Sequence, residues 1–186
     1  GKEWDPRMLP KPAPAPQKVG VVGLSVEIAF IVVAIVIFNF YPQLIGIGYS
    51  GEEWVSIPVL SEVFFTRYLP WLNIYWALQI VLDAIVLGRG RWETGTGWFY
   101  VAIKAMSVVI NLAMLTGPSL IGLTAATLDA RSTMGMHTAE LLVEMLTQVV
   151  KWSLIIGVVA GSIDLIKQIF RLLFQHFEAV ALVKKK

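Results

Sequence analysis

Four ionisable side chains interrupt stretches that are otherwise apolar, and they are the candidates for chemistry in this chain of 186 residues: Glu27, Asp83, Lys104 and Asp164. Charged groups inside apolar spans are costly unless they face one another or water. The set can be a packing device, a proton or cation path, or a contact with another subunit. Lys104 and Asp83 lie on spans joined by a short turn, so we predict that they pair. The surplus acid can be protonated, or answered by Lys167 or by an added partner.

Signatures of catalysis do not occur in the sequence. The chain contains 0 cysteines, which excludes disulfides, thiolate metal sites and cysteine nucleophiles. The histidines, His137 and His176, lie in no metal-binding spacing, although His137 stays open as a pigment ligand near the outer surface. No phosphate-binding glycine loop or nucleophile elbow is found. We therefore expect a protein that is not an enzyme, has no metal or cofactor, and is compatible with bound lipid.

The composition predicts an integral membrane protein. Hydrophobic residues make up 56% of it and charged residues 15%, and the mean hydropathy is +0.70. Soluble domains carry about 25% charged residues and rarely sustain apolar runs of about 20 residues. The net charge of +2 is too small to indicate binding of nucleic acid.

Apolar runs predict an all-α integral membrane protein with four transmembrane helices. A Pro-rich basic lead-in (1–18) precedes a transmembrane domain (19–170), and an amphipathic basic tail (171–186) follows it. We place the spans at about 19–40, 71–87, 98–115 and 145–166. The fourth span belongs to a longer helix, from about Thr138 towards Val183, that extends into the cytoplasm.

Two segments, 43–69 and 117–138, are predicted to lie outside the membrane. The pattern from Pro58 to Leu69 favours a short amphipathic helix in the interface between the first two spans. Pro70 then begins the second span, where its missing N–H is tolerated.

Basic residues predict the orientation, because cytoplasmic flanks of spans are enriched in lysine and arginine. With the N-terminus inside, the external segments hold Arg67 and Arg131 as their only lysine or arginine residues. The internal flanks hold Lys2, Arg7, Lys11, Lys18, Arg89, Arg91, Lys167, Arg171, Lys184, Lys185 and Lys186. We therefore predict a multi-pass protein of the bacterial cytoplasmic membrane with both termini in the cytoplasm.

The fourth span has two faces suited to packing. Small residues form one ridge, and polar residues form a stripe on the opposite side in the predicted outer half of the span. Covering both faces would require another chain or an oligomer, although Lys151 can also extend to the interface by itself. The ridge is Ser153, Gly157 and Gly161, and the stripe is Glu144, Gln148 and Lys151.

Three features resemble the membrane module of bacterial HAAS-domain proteins: FNFYPQLIG, VLSEVFFTRYLPWLNIYWALQIVLDAIVLGRGRW and the Gly-Pro that follows the third span. The resemblance covers about residues 4–123 and implies a signalling protein, often accompanied by a PadR-type regulator. The cytoplasmic HAAS domain that precedes the membrane region in that family is not found in this sequence. The long fourth helix also has no counterpart in the resemblance.

Two functions follow. The preferred one is a non-catalytic accessory or scaffolding subunit of a larger bacterial membrane assembly, with respiratory and photosynthetic complexes as candidates. Its partners would be lipids and other integral membrane subunits, or further copies of itself. The alternative is a HAAS-type membrane signalling or sensor module. Transport of a small solute or ion is the weaker alternative, since the sequence lacks internal repeats.

Overall fold

The computed structural model describes residues 20–47, 57–131 and 135–183, without the side chains at 47, 94, 131 and 175–183. The predicted lead-in (1–18) lies outside these residues, as do parts of both predicted external segments and the end of the tail. Within the described residues, four helices are long and apolar enough to cross a membrane, which indicates a membrane protein. The helices are α1 (Val21–Phe40), α2 (Leu69–Arg89), α3 (Thr94–Thr116), a short α4 (Ala125–Arg131) and α5 (Met136–Val183).

The long helices form an open row and not a closed bundle. Helix α1 packs on α2, α2 on α3, and α3 on α5, and no other pair of these four makes more than marginal contact in the described part of the chain. None of the residues of α1, all of them described, is buried. Helices α1 and α5 therefore end the row, each with one long neighbour.

Successive helices of the row run antiparallel. Asn39 at the end of α1 meets Asn73 near the start of α2, and Glu27 meets Gln79 further along. Helices α2 and α3 are joined by a tight turn at Gly90, whose φ of 65° is in the left-handed region that favours glycine. The beginning of α1 thus lies at the same end of the row as the Gly90 turn.

Helix α3 begins at Thr94, four residues earlier than the predicted third span. A capping box explains the earlier start: the Glu93 side chain accepts from the backbone at Thr96, and the Glu93 N–H donates to Thr96 Oγ1 over 3.0 Å. Arg89 and Arg91 both pair with Glu93, so the predicted basic turn is held at the start of α3.

Helix α5 is a single helix of 48 residues, as the sequence predicts. A Cβ added at Gly157 would lie 3.2 Å from Asn111 Oδ1, one at Gly161 would lie 3.0 Å from Val108, and Leu172 contacts Gly97. These contacts place about residues 153–174 beside α3. The predicted span at about 145–166 overlaps this part of α5 and also includes about two turns before it, which pack beside α4 and its apolar cluster.

The predicted interfacial helix is not a separate element. A wide π-helical turn (Phe64–Tyr68) runs directly into α2, and the Leu69 N–H donates to the carbonyl of Phe64, five residues earlier. Pro70 has no N–H to continue the ordinary pattern, and the wider turn absorbs this break. Phe64 and Tyr68 are buried, so one side of this segment is part of the core, while Thr66 and Arg67 are exposed.

The two predicted external segments fold together into one structure, which we call the cap: residues 57–61 and 119–131 with the first turns of α5. Strand β1 (Gly46–Ile47) pairs antiparallel with β2 (Ile57–Pro58), and Leu60 bridges to Ile121. Thr124 caps α4 through its hydroxyl. One apolar cluster closes the cap, formed by Ile57, Ile121, Leu123, Leu128 and Ala139.

Candidate functional site

Polar residues from all four long helices meet at one level of the row, which we call the polar level: Glu27 from α1, Gln79 and Asp83 from α2, Lys104 from α3 and Asp164 from α5. Gln79 and Asp83 are 3% and 1% exposed. Lys104 is half-buried, whereas Glu27 and Asp164 are exposed. The level lies inside helices that are apolar on both sides of it, so its charges are held where they are costly.

The Gln79 amide connects two carboxyl groups. Its Nε2 donates to Glu27 Oε1 over 3.2 Å and to Asp83 Oδ1 over 3.1 Å. Gln79 and Asp83 are one turn apart on α2, and Glu27 reaches them from the neighbouring helix, so these three form a continuous contact. The sequence places Gln79 and Asp83 on one face of the second span, but it does not show that Gln79 is the bridge.

Lys104 does not form the predicted pair with Asp83. Among the described residues, no ion pair within 4.0 Å joins the two side chains. The Lys104 ammonium instead lies 5.3 Å from the centre of the Tyr100 ring, one turn earlier on the same helix. Counting residues from the flanks predicts the level of each charge but not the direction in which its side chain points about the helix axis.

Asp164 reaches the polar level from the far end of the row. It lies on the side of α5 that is near Tyr100 of α3. In the part of the chain that the structure describes, no base lies within ion-pair distance of Asp164, and Lys167 on the same helix is exposed. Two of the three acids, Glu27 and Asp164, thus remain exposed on the two end helices.

The small-residue ridge of α5 is an internal contact. Gly157 faces Asn111, whose amide donates to the Ser107 carbonyl over 2.8 Å, and Gly161 faces Val108. Close approach at these two glycines is what brings α5 against α3. Ser153, the first member of the ridge, is exposed. Gly157 and Gly161 therefore pack against α3 of the same chain.

The polar stripe of α5 lies outside the row. Glu144, Gln148 and Lys151 are exposed, and the contacts between α5 and α3 put them past the last residue of α3, at the level of the cap. The stripe is therefore not part of the contact between α5 and α3. The sequence predicts these residues in the outer half of the fourth span, and this placement stays a prediction.

A reciprocal amide pair, missed by sequence reasoning, joins α1 to α2 at the cap end. Asn39 Nδ2 donates to Asn73 Oδ1 over 2.9 Å, and Asn73 Nδ2 donates back to Asn39 Oδ1 over 2.8 Å. Two side-chain amides can pair in this way because each supplies both a donor and an acceptor. A polar residue near the same end of two consecutive spans was the available signal.

Comparison with protein-family models, curated proteins and solved structures gives no match to this chain. Function must be inferred from the geometry of the helices.

That geometry includes no evident metal centre. Within residues 20–47, 57–131 and 135–183, no group of three His, Asp or Glu side chains is arranged to hold an ion. His137 is exposed at the start of α5, and the side chain of His176 lies outside the described set. The polar level and the open row are therefore the features that a proposed function must explain.

Proposed function

We propose that this protein is a non-catalytic subunit of a larger bacterial membrane assembly, and that it contacts its partner through the polar level of the row. The observation that carries the proposal is the exposure of Glu27 and Asp164 inside apolar helices. A carboxylate inside an apolar span is costly, and neither acid has an ion pair within the described residues, although Glu27 accepts one hydrogen bond from Gln79; a basic group of a partner, or water, would stabilise both. The open row leaves room for a partner, since α1 and α5 each pack against one long helix.

The excess of acidic residues at the polar level indicates what kind of partner would bind there. The polar level holds three acids, Glu27, Asp83 and Asp164, against one base, Lys104. A partner span that carries lysine or arginine would balance this surplus, whereas a purely apolar partner would not. Gly20 and Gly23 indicate that the partner contacts α1 on the face that carries Glu27. They share this face with Glu27, and an added Cβ at either would meet no atom within 4 Å. This glycine face is not packed against any residue that the structure describes, and it therefore suits contact with another helix.

The proposal predicts that complex formation depends on the exposed acids. After mild extraction from the native membrane, the wild-type chain should co-migrate in fixed stoichiometry with an integral membrane protein that has a basic residue in a span. The double variant Glu27→Gln and Asp164→Asn should reduce this co-migration at least tenfold. Glu140→Gln and Glu144→Gln, which change exposed acids at the cap end, should leave it intact. Migration of the wild type alone, as a homo-oligomer, or with an association unaffected by the double variant would contradict the proposal.

We also propose the orientation with both termini in the cytoplasm. Its support is the basic composition of the end of the row that carries Arg89, Arg91, Lys167 and Arg171, compared with the cap end. Because the chain contains 0 cysteines, single thiols can report sidedness. A membrane-impermeant maleimide should label Gly88→Cys from the cytoplasmic side and Ala126→Cys from the opposite side; both positions are exposed. The reverse pattern would invert the orientation.

One observation favours the signalling alternative of the HAAS type. Helix α5 physically connects the cap, where Ala139 is buried, to the opposite end of the row, where Leu172 packs on Gly97. A continuous helix between an extramembrane structure and the other membrane face suits a sensor module. A cytoplasmic partner that binds the row irrespective of Glu27 and Asp164 would favour this alternative over the subunit.

A further inference from the structure

The Asp83 carboxyl is the most enclosed ionisable group at the polar level, with 1% of the residue exposed. It lies where α1, α2 and α3 meet, beside the apolar cluster of Leu82, Val86 and Ile103. One hydrogen bond from the neutral Gln79 amide reaches its Oδ1. Its other oxygen, Oδ2, is buried and accepts no hydrogen bond from any residue that the structure describes.

Gln79 also has a buried oxygen that accepts no hydrogen bond. Its Nε2 donates both of the hydrogen bonds that the amide makes. Its Oε1 is buried and accepts no hydrogen bond from the described side chains or backbone. The two unsatisfied atoms, Gln79 Oε1 and Asp83 Oδ2, are therefore both acceptors. A side-chain amide oxygen and an ionised carboxylate can only accept, so the enclosed pair has too few donor hydrogens.

No nearby side chain supplies the missing donor. The groups that act on Asp83 electrostatically are Glu27 from α1 and Lys104 from α3, and Tyr75 and Tyr100 lie around Lys104. Glu27 is a second acid, and Lys104 lies over the Tyr100 ring without an ion pair to Asp83. From the far side, Asp164 adds a third acid near Tyr100. An ionised Asp83 would thus be enclosed with one neutral donor, beside a second acid and without an ion pair to Lys104, an arrangement that proteins avoid by taking up a proton.

We propose that Asp83 is a proton-binding site within the membrane domain, with the proton held on the carboxyl group and Gln79 linking it to Glu27. The bound proton supplies the missing donor hydrogen and makes the enclosed group neutral. Glu27, which is exposed, and Lys104 then remain as opposite charges on α1 and α3, the two helices on either side of α2. The inference reduces the surplus used for the proposed subunit function without removing it, because Glu27 and Asp164 still stand against Lys104 alone when Asp83 is neutral.

The infrared carbonyl band of a protonated carboxylic acid tests the proposal. In the purified full chain at neutral pH, this band should be present in the wild type and absent from Asp83→Asn. It should persist in Glu27→Gln, because the proton is on Asp83, and in Glu62→Gln, which changes an exposed acid outside the polar level. A wild type without the band, or a band that disappears in Glu27→Gln and survives in Asp83→Asn, would overturn the assignment.

A chemical readout keeps the test independent of whether Asp83→Asn folds. Hydrophobic carbodiimides react with protonated carboxyl groups in apolar surroundings, and peptide mass spectrometry locates the adduct. We expect the wild type to carry the adduct on Asp83 in preference to Glu27 and Asp164, and we expect strongly alkaline solution to reduce it at least fivefold. A modification found on Glu27 or Asp164 and not on Asp83 would contradict the proposal.

Discussion

An alanine at Gly117 is expected to destabilise the protein by about 1–3 kcal/mol, the usual cost of overpacking a filled site. Gly117 ends α3, and a Cβ there would overlap the Tyr68 hydroxyl and lie 2.7 Å from the Ala113 carbonyl oxygen. That hydroxyl donates to the same carbonyl over 3.1 Å, so the side chain cannot move aside without losing its hydrogen bond. Thermal unfolding in detergent should show a fall in Tm of about 2–4 °C per kcal/mol for a chain of this size.

The control for this variant is Gly95→Ala, in the first turn of the same helix, where an added Cβ meets nothing within 4 Å. It should leave Tm unchanged or raise it slightly, since alanine favours helix. Tyr68→Phe removes the atom that the new methyl group would strike, so Gly117→Ala should cost less in that background. Equal costs in the two backgrounds would mean that Tyr68 does not pack against Gly117.

A leucine at Gly161 is expected to separate α5 from α3 and destabilise the isolated chain by about 1–3 kcal/mol or more. The first added atom would already be 3.0 Å from Val108, and the contact between these helices is the most extensive in the row. The matched control is Ala160→Leu, one residue earlier and exposed, which should be nearly neutral. Thermal unfolding of the monomeric form provides the measurement.

This second variant also discriminates between two uses of the small-residue ridge. If Gly161 faces α3, as the structure places it, Gly161→Leu destabilises the monomer directly. If the ridge instead joins two chains, the variant should abolish association and leave the unfolding of the monomer unchanged. The latter result would support the prediction from the sequence that the ridge contacts another chain.

Apolar runs locate the long helices well, because in a membrane every backbone group must be satisfied within its own segment. The first span was predicted at about 19–40 and α1 is Val21–Phe40, while the long helix predicted from Thr138 begins at Met136. Helix ends set by particular side chains were less accurate. The Glu93–Thr96 capping box moves the start of α3 to Thr94, and the turn before Pro70 continues the second helix towards the cap.

Contacts between distant segments could not be predicted. Ser61 donates its N–H to the Leu120 carbonyl over 2.8 Å, and an added Cβ at Gly122 would lie 2.8 Å from Ser61 Cα. Strands of two residues leave no alternating pattern in the sequence, so the pairing that forms the cap was not visible. At the polar level the same limit applies to rotation: which residue lies beside Lys104 depends on the direction in which each helix faces, and residue counting does not give that direction.

The open row has a consequence for how the chain can be assembled. Each long helix packs mainly on the one that precedes it in sequence, α1 with α2, α2 with α3 and α3 with α5, so helices emerging in order from the ribosome find their neighbours already inserted. Contacts that are local in sequence form quickly, and no early helix has to wait for a late one. The cap is the exception, because Leu60 must wait for Ile121. We therefore expect biogenesis to proceed hairpin by hairpin in the membrane and to finish outside it, with closure of the cap as the last step.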